Sequence, residues 1–211
     1  MVADDIRPAR GGGWPALKEA EPIVRALGKG WQTLILRKGG IAEGRGGFTA
    51  NHSDFWLLPT RFHAQSDKIR PEFRFLAEER ERGGPEEVEL QFVAKLLWSR
   101  FLADWESVRR LVVFQLWEEE LLRERFAYGA KEGLHLLLVR IYQSRKAACP
   151  WERSLAGCRS WVTLGHPWSD RLVPVVSDEE FVSREREVLI AIEGGMREET
   201  ERTGGKEGEE K

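Results

Sequence analysis

The sequence predicts an α+β fold, a single domain with a mixed or antiparallel sheet of about five strands and flanking helices. Three observations predict it. Short apolar runs bounded by glycine or turn residues recur at Trp31 to Lys38, Asp54 to Pro59 and Leu134 to Tyr142, the signature of strands. Apolar residues fall at every even position from Val88 to Trp98, the period of a half-buried strand. The strands do not alternate strictly with long helices, which argues against a doubly wound parallel sheet.

Taken in order, the elements are justified as follows. Residues 1–13 end in three glycines and carry little to bury, so a disordered tail is expected there. Leu17, Ala20, Val24 and Leu27 recur at helical spacing after Pro15, which suits a first helical position, and predict a helix over 15–27 kinked at Pro22. Trp31 to Lys38 reads as a strand entering a turn at Gly39-Gly40, and Asp54 to Pro59 as a second strand. Pro71 to Arg82 is mostly polar with Phe73, Leu76 and Ala77 on one side, so a surface helix is predicted. The Val88 to Trp98 strand follows.

Asp104 can cap a short helix to Arg110, and Trp117 to Phe126 forms another with Glu118, Glu119 and Glu120 in its first turn, where the helix dipole favours carboxylates. Leu134 to Tyr142 is apolar on both faces and predicts a central strand, with Gly157 to Leu164 as its neighbour. Ser177-Asp178-Glu179-Glu180 is a capping box, opening a helix that carries Phe181, Val188, Leu189 and Ile192 and is expected to stop at Gly194-Gly195. The domain is therefore placed at 14–193, with 194–211 as a disordered acidic tail.

At 211 residues, 41% hydrophobic and 10% aromatic, the chain can bury roughly 70% of its unfolded surface without staples. Two cysteines, Cys149 and Cys158, are too few for a disulfide framework. With no apolar leader and no span of ~20 apolar residues, a cytoplasmic location and no membrane partner are expected. The net charge of −2 conceals an uneven distribution: residues 1–70 hold 11 Lys/Arg against 7 Asp/Glu, and residues 151–211 hold 9 against 14. The basic bias of the first third directs attention to anionic ligands.

The segments LILRKGGIAE (34–43), LLPTRFH (57–63), GCRSWVTL (157–164) and PVVSDEEF (174–181) occur in this order. They resemble a bacterial family of uncharacterised proteins, domain of unknown function 1802. ALKEA (16–20), LWEEELLRERF (116–126) and LHLLLVRIY (134–142) extend the resemblance over most of the chain. It implies no activity and no catalytic residues.

Chemistry must then be sought in the residues themselves. Arg37-Lys38-Gly39-Gly40 puts two cations beside glycine backbone at a strand end, a setting for phosphate; a basic surface turn is an equal reading. Arg61 and Arg159 extend this anion-binding set. Arg140, inside an apolar strand, must be paired or face a cavity, with Glu118 or Glu124 as expected partners. No P-loop or dinucleotide fingerprint is present.

These residues point first to a binding module for nucleic acid or another phosphate-bearing ligand. The alternative is a hydrolase or metal-dependent phosphodiesterase using His63 with Glu43 or Asp54, since an imidazole next to a carboxylate can act as acid or base. His52 lies in the same stretch, but no spacing matches a metal-ligand motif, and no cofactor is implied. Among nine tryptophans, Trp31, Trp56, Trp98, Trp105, Trp117 and Trp161 are assigned to packing, leaving Trp14, Trp151 and Trp168 as candidate stacking surfaces.

Overall fold

A computed structural model describes residues 13–38, 50–60, 66–78, 87–152, 155, 157, 159–169 and 171–204. Its first element corrects the expected helix over 15–27. Trp14–Ala20 is a strand, β1, and a helix, α1, begins only at Glu21–Gly28. Ala16 and Leu17 are adjacent yet both fully buried, which happens when a strand is covered on two faces. Their spacing to Val24 and Leu27 imitated one helix by joining two elements. Pro22 lies in the first turn of α1, where its fixed φ and missing N–H suit a start, so it opens the helix and does not kink it.

The remaining strands are β2 (Leu34–Arg37), β3 (Asp54–Thr60), β4 (Glu87–Leu102), β5 (Leu134–Pro150), β6 (Trp161–Leu164) and β7 (Val173–Pro174). They form one mixed sheet in the order β2-β5-β4-β3-β1-β6, with β7 also on β5. Among the described residues that makes seven strands, more than the five expected, because the β1 segment and Val173-Pro174 were not read as strands. Only β1 and β3 pair in parallel; β6 pairs with β1 from Trp14↔Leu164 to Leu17↔Trp161, so it is not the neighbour of β5 that its composition suggested.

Helices α2 (Phe75–Glu78), α3 (Trp105–Arg110), α4 (Glu119–Ala127) and α5 (Asp178–Gly204) complete the fold. Of the helix expected at 71–82, the described part is a 3-10 turn, Pro71–Phe73, followed by the single turn of α2; residues 79–82 lie outside the described residues. Asp104 caps α3 as predicted, its carboxylate accepting from the N–H groups of Glu106 at 3.2 Å and Ser107 at 2.7 Å. Ser177 Oγ accepts from the Glu180 N–H at 3.2 Å. Helix α5 runs through Gly194-Gly195 to Gly204; glycine weakens a helix by only about 1 kcal/mol against alanine and does not force an end.

The even-numbered stripe on β4 is not one face. A register shift between Leu90 and Phe92 and another between Leu96 and Trp98 interrupt its pairing with β5. Leu90 and Val93 join a smaller core with Ala16, Trp56, Leu58 and Trp168, whereas Phe92, Ala94, Leu96 and Trp98 pack on the larger core with Leu17, Phe55 and the helices. Such bulges bend a strand and increase its twist. In an antiparallel pair of 16 and 17 residues that extra twist curls the sheet.

Gly133, which leads into β5, has φ +128°, and a Cβ there would lie 2.7 Å from the Leu102 carbonyl oxygen. Gly133→Ala is expected to lower stability by about 1–3 kcal/mol, measured as a fall in the urea midpoint with an unchanged slope.

Candidate functional site

Arg37 ends β2, at one side of the sheet, but its guanidinium does not face solvent. One terminal nitrogen donates to the Lys18 carbonyl and to Glu19 Oε2, both at 2.8 Å, and the other donates to Ser160 Oγ at 2.6 Å. Strands β5, β4 and β3 separate β2 from β1 in the sheet order. The contact therefore closes a curled sheet across a seam, with Arg37 as the bridge.

Other groups are drawn to the same seam. The Lys18 ammonium, buried within β1, donates to the carbonyls of Leu155 at 3.1 Å and Gly157 at 2.6 Å, and the Lys18 N–H donates to the Ser160 carbonyl at 2.8 Å. These three bonds anchor the approach to β6. Glu19 Oε1 accepts from the Ala20 N–H at 2.9 Å, and Thr60 Oγ1 donates to the Glu19 carbonyl at 3.1 Å. Arg125, from α4, lies with its guanidinium carbon 4.6 Å from the Trp117 ring centre. Burial pulls the Arg125 pKa down, the Glu19 carboxylate opposes this, and Arg37 adds to the fall. A guanidinium stays charged in proteins, so two guanidiniums act on one carboxylate. Their positive field is screened little by water in such a place.

The anion-binding residues expected from the sequence are divided by the structure. Arg37 is in the seam, and Arg159 is exposed beside Ser160. Arg61 directly follows Thr60 in the chain, but Arg61 itself, Gly39 and Gly40 lie outside the described residues. Lys38 points elsewhere: its ammonium donates to the carbonyls of Phe126 at 2.8 Å, Lys131 at 2.6 Å and Gly133 at 3.0 Å. An ammonium has three protons, and here three carbonyls take them. Burial pushes its pKa below the ordinary lysine range against the pull of Glu132. Lys38 thus ties the end of α4 to the start of β5 and does not share a cradle with Arg37.

Arg140 pairs with Asp178 at the start of α5, not with Glu118 or Glu124, and lies over the rings of Tyr142 at 5.7 Å and Phe181 at 5.4 Å. It holds the helix to the sheet. Of the catalytic trio, His63 and Glu43 lie outside the described residues. Asp54 Oδ2 accepts from Ser53 Oγ at 2.8 Å, and Asp54 is opposite Lys95 in the β3–β4 register. His52 packs edge-on against Trp161, ring centres 5.0 Å apart, and burial lowers its pKa. Among the described residues no group of three or more His, Cys, Asp or Glu is placed to hold a metal ion.

The tryptophans also change places. Trp168 is buried and Trp14 packs edge-on against it at 4.2 Å, so neither is a stacking surface. Trp31, assigned to packing, is 41% exposed. The sequence reading missed Lys18, Glu19 and Arg125; Ser160 stood out there with Arg159 as a polar residue beside Cys158. The signal for Lys18 and Glu19 was there, since a charged pair inside the otherwise apolar WPALKEA needs partners, but a helical assignment had turned them to solvent.

A family model described as Domain of unknown function (DUF1802) matches residues 16–187. No curated protein and no solved structure matches the chain. Among the described residues no helix is long and apolar enough to cross a membrane.

Proposed function

We propose that this chain, which belongs to the family described as domain of unknown function 1802, is a binding module for a phosphate-bearing ligand held at the Arg37 seam. The family brings no reaction with it, so the reading rests on one observation: Arg37 is held against Glu19 and Ser160 in a part-buried place, where the charges of Arg37 and Glu19 are also felt by Arg125. A guanidinium offers a planar fork of donors that fits the oxygens of a phosphate. Arg159, exposed next to Ser160, supplies a rim cation that a ligand meets first. The positive charge is local, since the chain carries −2 overall, which suits a confined site more than the coating of a duplex.

Arg159→Glu is expected to weaken binding of a labelled single-stranded oligonucleotide about tenfold at low salt. It should also flatten the dependence of log Kd on log salt by about one contact's worth, a slope change near 0.7. Because Arg159 is on the surface, the melting temperature should not move. Fluorescence anisotropy across a salt series reads the first two quantities. If neither the oligonucleotide nor inorganic tripolyphosphate binds the wild-type chain at low salt, the reading fails.

A further inference from the structure

Helix α1 has the seam at one end and an aromatic cluster at the other. Glu19 and Ala20 lead directly into the helix, and Lys29 and Trp31 follow its last turn, with the Lys29 N–H donating to the Arg25 carbonyl and the Trp31 N–H to the Ala26 carbonyl. At 1.5 Å per residue, eight helical residues place the two ends about 12 Å apart.

The Trp31 ring is 5.5 Å from that of Phe75 and 5.9 Å from that of Phe73. Trp31 is 41% and Phe75 42% exposed, so two large aromatic faces stand at the surface together. Cations border them. The Lys29 ammonium is 5.1 Å from the Trp31 ring centre and 5.8 Å from that of Phe75, and the Arg70 guanidinium, paired with Glu72, is 5.3 Å from that of Phe73.

We infer that this cluster is a base-stacking platform, and that the phosphate-bearing ligand is a single-stranded nucleic acid reaching from the seam to Trp31. The inference rests on the proposed phosphate site. Stackable aromatic faces beside cations are what a single strand requires, because every base offers a flat face and every linkage a charge. A strand of a few nucleotides spans the ~12 Å between the two ends of α1. A second protein copy fits less well, since a stable interface buries about 800 Å² on each partner, and among the described residues of this cluster only Trp31 and Phe75 are large exposed apolar side chains, with charged neighbours around them.

The test compares an eight-residue oligothymidylate with an abasic strand of the same length, both labelled, on the full chain. The wild-type protein is expected to bind the oligothymidylate about tenfold more tightly, within the range a single stacked base contributes. Trp31→Ala should abolish that preference while leaving the abasic affinity unchanged, and Trp31→Phe should keep most of it. Phe75→Ala, across the platform, should repeat the alanine pattern, which separates loss of stacking from a local fault at position 31.

Equal binding of the two strands by the wild type would overturn the platform and leave the phosphate site standing. Displacement of the oligothymidylate by polyglutamate at equal charge concentration would also overturn it, in favour of an acidic protein partner. Failure of both strands to bind would overturn the platform and the phosphate site together.

Discussion

Arg37→Ala is expected to destabilise the protein by about 3–5 kcal/mol, the usual consequence of removing one member of a part-buried ion pair and leaving the other without it. The side chains of Arg37 and Glu19 are only 17% and 11% exposed, and the guanidinium also donates to the Lys18 carbonyl and Ser160 Oγ. Alanine therefore removes a charged hydrogen bond to the carboxylate and two more to a carbonyl and a hydroxyl at once. At about 2–4 °C per kcal/mol for a chain of this size, the melting temperature should fall by roughly 6–20 °C.

The comparison variant is Arg37→Lys, which keeps the charge but cannot bridge three acceptors with a planar fork. It should recover less than half of the loss. Full recovery by lysine would mean that charge alone holds the seam and that the bridging geometry is incidental. Calorimetry or denaturant unfolding followed by tryptophan fluorescence reads either result.

The features that were readable from sequence are those decided within a few residues. The Asp104 cap, the Ser177 cap and the apolar run that became β5 each depend on neighbours in the chain, and each appears where expected. Strand β1 was misread because burial on both faces removes the alternation that distinguishes a strand, and Leu17, Ala20, Val24 and Leu27 then fit a helical period by accident. The register shifts between β4 and β5 were invisible for a related reason. Even spacing continues through Leu90 and Phe92 in the sequence, while the pairing jumps from Ala147 to Gln143 between them and the two pack in different cores.

The seam lies at the far end of that scale. Arg37 could be picked out as a cation of interest, but its partner Ser160 is 123 residues away, and nothing local joins them. What joins them is the curl of a sheet built on a long antiparallel strand pair with two register shifts. Lys38 shows the opposite error: adjacency to Arg37 suggested shared work, yet successive residues of a strand point to opposite faces, and it serves the end of α4 instead. Trp31 sits next to the apolar run of β2 and was counted with it, although the chain has not yet entered the sheet at that residue.

Glu19→Gln tests the electrostatic logic of the seam more sharply than removal of a cation does, because stability and binding are expected to move in opposite directions. Without its carboxylate the seam loses the anion paired with Arg37, so the ligand-free protein should lose about 3 kcal/mol, the lower end of what breaking a buried pair costs. The same change removes the negative charge that a phosphate must approach. At an effective dielectric near 20, a unit charge about 6–8 Å away contributes roughly 2 kcal/mol, so affinity for tripolyphosphate should rise by at least tenfold.

Ligand would then restore part of the lost stability, since whatever binds only the folded state raises its unfolding free energy. The melting temperature of Glu19→Gln should climb with tripolyphosphate concentration more steeply than that of the wild type. The double variant Glu19→Gln with Arg37→Ala should lose the gain in affinity, because the guanidinium freed by the first change is absent in the second. A fall in affinity on Glu19→Gln alone would show that the carboxylate positions the cations for the ligand and does not compete with it, which is the outcome that separates a preorganised site from an ion pair waiting for an anion.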